Sequence, residues 1–128
     1  MPSDKHNKPG CDQIIDILPN PFVVIDRDYR IVAANRPYCQ HYGLDREEVV
    51  GRLCHEVSHH SKEPCSRHGE HCPLDEVFGS GKPTEVLHVH CDHRGGEEHV
   101  QLQCAPIKDE DGHVLYMGST SIPCVIPI

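Results

Sequence analysis

Leu18-Pro19-Asn20-Pro21-Phe22-Val23-Val24-Ile25-Asp26 is the stretch on which the fold turns. Pro19 and Pro21 stop any helix arriving from upstream. The apolar run behind them reads as a buried strand that ends in a turn at Arg27-Asp28. Tyr29-Arg30-Ile31-Val32-Ala33-Ala34 is a second strand. Two strands this close, joined by so short a turn, make an antiparallel hairpin. Upstream, Ile14, Ile15, Ile17 and Leu18 lie on a short helical stripe over 11–18, and residues 1–11 read as a disordered polar leader.

Downstream, Asn35 is placed to cap a helix, with Pro37 in its first turn and Gly43 at its end. Asp45 and Glu48 have the spacing of a capping box for a further short helix, closed at Gly51. Cys72-Pro73 opens a third helix, with Leu74, Val77 and Phe78 on its apolar side and Gly79 and Gly81 to stop it. Three strands then finish the chain. Over 85–91, Leu87, Val89 and Cys91 alternate with Val86, His88 and His90. Taking the Leu87 side as inward, the sequence predicts that His88 and His90 look away from the core. Over 98–105, Val100, Leu102 and Cys104 oppose His99, Gln101 and Gln103, and the last strand covers 114–121.

Between the second and third helices lies a stretch of another kind, 54–73, with three cysteines, five histidines and a single aliphatic side chain, Val57. It has almost nothing to bury, and thiolates and imidazoles are the ligands that soft and borderline metals prefer. Ordering some twenty polar residues costs about 1–2 kcal/mol each in backbone entropy. A structural zinc returns roughly 10–16 kcal/mol, which offsets a large part of that cost.

The 128 residues make one domain, with two Phe, four Tyr and no Trp, so Ile, Val and Leu fill its interior. A net charge of −8 with neutral histidines argues against nucleic acid or an anionic membrane surface as partner. The chain has no apolar run of membrane-spanning length and no secretion signal at its N-terminus, so the expected setting is cytoplasmic. There, eight cysteines point to metal or redox chemistry more than to disulfides.

The order of elements, and the words Leu18 to Asp26, Ile31-Val32-Ala33-Ala34-Asn35, Tyr42-Gly43-Leu44, Glu47-Glu48-Val49-Val50-Gly51-Arg52 and Ala105-Pro106-Ile107-Lys108-Asp109-Glu110-Asp111-Gly112, resemble a PAS domain over residues 12–122. The resemblance implies an α+β fold, a five-stranded antiparallel sheet with short helices packed on one face and a pocket between them. It also implies a sensory role in bacterial signalling, as the input to a histidine kinase, diguanylate cyclase or transcription regulator, partner or fused, and a homodimer. Some kinase and cyclase inputs carry a similar Cys/His word after Gly-Arg, met here by Cys54, Glu56, His59, Pro64-Cys65 and Cys72-Pro73. The gap between the last two cysteines is longer than in the short Cys-Pro-x-Cys form. The closing segment 123–128 holds two prolines and reads as a tail where such domains usually continue into a signalling helix.

Cys54, Cys65 and Cys72, with His59 or His60, make a Cys3His set suited to zinc or to an iron–sulfur cluster with one imidazole ligand. The expected function is a sensor of redox state, oxygen or metal. The alternative is a cofactor-free dimerisation or interaction module in which the loop is decoration. A flavin-based light sensor fits poorly, since the polar residues around Cys54 differ from those that hold flavin. An enzyme finds no support, because no positioned base or oxyanion site can be read beside the thiols.

Overall fold

The structure is a computed structural model and describes residues 8–60, 72–91, 94 and 96–124. The hairpin forms as β1 (Phe22–Ile25) and β2 (Ile31–Ala34). The Asp26 carboxylate accepts from the backbone N–H of Asp28 at 2.9 Å and of Arg30 at 3.0 Å, and Tyr29 completes the turn at a φ of 66°. β3 (Thr84–Cys91), β4 (Glu97–Lys108) and β5 (Val114–Pro123) complete a five-stranded antiparallel sheet in the order β2-β1-β5-β4-β3.

Five short helices accompany it among the described residues: α1 (Cys11–Ile15), α2 (Arg36–Tyr42), α3 (Arg46–Val49), α4 (Cys54–Ser58) and α5 (Pro73–Ser80). One face of the sheet presents Val23, Ile25, Ile31, Val100, Leu102 and Met117 to Tyr38, Val49, Val57, Leu74 and Val77 of α2 to α5, and this is the main core. α1 leans on the other face, where Ile15 meets Val24 and Ala33. α2 starts and stops where the sequence places it. Asn35 accepts from Tyr38 N–H at 3.0 Å, and Gly43 ends the helix at a φ of 69°, a conformation that favours glycine. The Glu48 carboxylate accepts from the Asp45 N–H at 3.1 Å, the returning half of a capping box. α5 opens on Pro73 and closes at Gly81.

Three expectations need correcting. The first helix ends at Ile15, because Asp16 turns to accept from Arg36 N–H at 2.8 Å and to pair with Arg46; Ile17 is left 79% exposed. The Cys/His stretch does not begin as a loop. Its first five residues form α4, where Glu56 accepts from Leu53 N–H at 3.2 Å, Ser58 bonds back to the Cys54 carbonyl, and His55 and Val57 are buried. The third concerns β3. Leu87 points outward, 73% exposed, while His88 and His90 point into the core at 2% and 5%. The cause is register: Val86 pairs with Leu102, His88 with Val100 and His90 with Glu98. Directly paired residues share a face, so the inward side of β4 takes both histidines in with it.

Candidate functional site

Between the sheet and the C-terminal end of α4 lies a cavity of about 40 Å³. One water needs roughly 10–15 Å³ by the same measure, so the space suits an ion or a few waters. Val23, Ile25, Leu102 and Met117 make its floor; the groups around it with donor chemistry for a metal are Cys54, His59, Cys72, His88 and His90, and Tyr38, Ser58, Ser119 and Ser121 add hydroxyls. α4 supplies Cys54 at its first position and His59 at its C-cap, and Cys72 is the N-cap of α5. β3 adds His88 and His90, two residues apart on one face.

The three imidazoles meet edge to face more than face to face. His59 and His90 have ring centroids 4.8 Å apart at 85°, His88 and His90 5.7 Å apart at 76°, and His59 and His88 5.3 Å apart at 57°. One ring nitrogen from each lies within 4.8 Å of the others. Behind them, the Tyr42 hydroxyl is hydrogen-bonded with His90 Nδ1 at 2.8 Å. Next to Tyr42, His41 is ion-paired with Glu98.

Burial governs the protonation of this compartment. It holds His90 well below the ordinary imidazole range, with His59, His88 and His41 adding to the effect, so the ring is neutral and keeps a lone pair. Burial pushes the Cys54 thiol up to about 12, and the neighbouring Cys72 adds to it. Cys104 rises to about 11 for the same first reason. Tyr29 donates to Asp75 Oδ1 at 2.6 Å, and that carboxylate, followed by burial, raises its phenol above the usual range.

Of the residues expected from sequence, Cys54, His59 and Cys72 line the cavity together. Cys65 lies outside the described residues. His60, the alternative imidazole, is exposed and sits at a φ of 52° just past α4. The sequence missed His88 and His90 as cavity residues, and it missed His55, which is 2% exposed with neither ring nitrogen hydrogen-bonded among the described residues. Placing leucine outside and imidazoles inside runs against packing. Burying a Leu side chain is worth about 1.5–3 kcal/mol, and an imidazole in its place needs polar partners to be tolerated.

A five-stranded antiparallel sheet with α2 to α5 over one face and a small, largely apolar cavity beneath them is the architecture of a PAS domain. The chain belongs to the PAS-fold family, whose pattern matches residues 15–121. Solved structures of similar fold include the Vibrio cholerae VqmA dimer, described in the absence of its target DNA (22% identity, 92% of this chain and 52% of that one, TM-score 0.71). Others are a Rhodobacter sphaeroides LOV protein (13% identity, 88% and 63%, TM-score 0.68) and the PAS domain of Bordetella pertussis BvgS (20% identity, 90% and 83%, TM-score 0.62). At such identities the likeness is one of fold. The chain spans about half the length of VqmA. No curated protein matches it.

Proposed function

We propose that this chain is the sensory domain of a bacterial regulator and that the cavity is its input. The centre expected there is zinc or an iron–sulfur cluster, held by Cys54, His59, Cys65 and Cys72 and answering to redox state, oxygen or metal. One observation supports this above the rest: Cys54, His59 and Cys72, separated along the chain, line the same cavity. Their donor chemistry suits soft and borderline metals. A bound centre would supply a redox couple or an exchangeable coordination position. The chain's own residues do the remainder. His59 at the end of α4 and Cys72 at the start of α5 flank the cavity, so donors let go at either end free one helix from the other and from the sheet below.

The same proposal covers a cytoplasmic setting, a homodimer and no catalysis. Its partner is a histidine kinase, diguanylate cyclase or transcription regulator, separate or fused. VqmA is a dimer with a target DNA; here the charge of −8 argues that nucleic acid or membrane contact belongs to another part of the system. A cofactor-free interaction module is the second reading, favoured by the exposure of Ile14 on α1 and of Ile17 and Leu18 just after it.

The test is metal analysis with an absorption spectrum on protein purified without oxygen, for wild type, Cys54→Ser and Cys65→Ser. About one ion or cluster per chain is expected in wild type, with most of it lost in each variant and the Tm lowered by about 5 °C or more. Unchanged metal in both variants would sink the thiolate centre. A stable dimer that never held metal would favour the second reading.

A further inference from the structure

β3 gives its inward positions to two imidazoles and turns a leucine to solvent, and a third imidazole reaches the same point from the end of α4. Three histidines from two elements thus converge inside one small cavity, their nitrogens within 4.8 Å. We infer that His59, His88 and His90 form a site for one divalent first-row ion, with zinc as the reference, in which no thiolate takes part. The inference rests on the reading of this cavity as the input but not on the cysteine set, whose imidazole would then be His60.

Four features carry it. The rings stand at 57° to 85° to one another instead of stacking, and each still brings a nitrogen within 4.8 Å of the other two. Three imidazoles and an open fourth position are a recurrent zinc arrangement. Nitrogens bound at about 2.0–2.1 Å in a tetrahedron lie roughly 3.3 Å apart, which small ring rotations reach from the present spacing. Finally, the Tyr42 hydroxyl at 2.8 Å from His90 Nδ1 is an outer partner of the kind that orients a metal-bound histidine and leaves its Nε2 as the donor. The cavity's size agrees, since about 40 Å³ accommodates an ion and its water.

The experiment titrates the full chain with zinc, and separately with cobalt(II), for wild type, a Cys54→Ser/Cys65→Ser/Cys72→Ser triple variant, His88→Asn, His90→Asn and Tyr42→Phe. The expected result is one zinc taken up by the triple variant, and the same one taken up by wild type in addition to whatever the cysteines hold. The cobalt spectrum of the triple variant shows ligand-field bands, and these weaken in the histidine variants. Zinc affinity falls about 100-fold or more in each histidine variant and about 10–100-fold in Tyr42→Phe. Circular dichroism checks that the variants fold; should the histidine variants not fold, cobalt binding to the triple variant decides. Zinc lost in the triple variant and kept in His88→Asn, with sulfur-to-cobalt charge transfer in wild type, overturns the inference and leaves the proposed function standing. No ion bound by wild type overturns both.

Discussion

Asn35 shows how much one side chain organises. It is fully buried, and its amide makes four hydrogen bonds: Oδ1 accepts from Phe22 N–H at 2.9 Å and Tyr38 N–H at 3.0 Å, while Nδ2 donates to the carbonyls of Ile15 and Asn20, both at 3.0 Å. The helix cap was legible from the sequence, because Asn followed by a proline two positions on is a local signal. The bonds to Ile15 and Asn20 were not, since they depend on α1 folding back across the sheet. Asn35→Ala should cost about 2–4 kcal/mol in urea unfolding, the sum of a lost cap and stranded backbone groups. Asn35→Asp keeps the two acceptor bonds but points carboxylate oxygen at two carbonyls, so it should rescue little. A loss below about 1 kcal/mol for Asn35→Ala would show that the node is not carrying the junction.

At the scale of elements, β3 is where sequence reading and structure part. Hydropathy along this strand alone puts Leu87 inside. Its orientation is fixed instead by register, and a slip of one residue against β4 would exchange its faces. The inward set of β4, Val100, Leu102 and Cys104, was legible from simple alternation and is buried as expected. The pairing that carries His88 in beside Val100 depends on the connection over 92–96, whose length fixes the parity. No local property of His88 or His90 reports it. α4 was hidden for a related reason: Glu56 caps it from within, but Leu53 ahead of it is no capping residue. Cys54, His59 and Cys72 were legible because their chemistry is unusual wherever they lie. Leu87→Lys tests the orientation directly. It should change stability by no more than about 0.5 kcal/mol, whereas an inward Leu87 would make the same change cost several times that in a denaturant melt.

Across the whole molecule, Asp16 ties α1 to the helices of the other face. It accepts from Arg36 N–H and pairs with Arg46, while the Arg46 Nε also donates to the Ala34 carbonyl at 3.0 Å. The hydrogen bond with Arg46 is the main reason its carboxyl lies below the ordinary value, against a partial opposition from burial. A carboxyl depressed on folding stabilises the native state above its unfolded pKa, near 3.8, and that contribution drains away as pH falls through the lower folded value. Asp16→Asn should therefore lower the Tm by about 2–5 °C at pH 7, and its gap from wild type should narrow in melts taken below pH 3.8. A gap that stays constant with pH would assign the effect to shape alone.

The sheet order sets a mechanical asymmetry. β5 lies between two neighbours, but among the described residues β3 stands at the margin and is zipped to β4 alone, through pairs running from Thr84 with Cys104 to Cys91 with Glu97. The strand bearing His88 and His90 is thus a leaf attached along one seam. A tug on those rings meets one backbone ladder, the Tyr42 hydrogen bond to His90 and the Thr84 bond to Glu76 of α5, and whatever the strand yields passes first to β4 and then to β5 at the middle of the sheet. The cavity wall that carries both imidazoles is thus one strand removed from the centre of the scaffold.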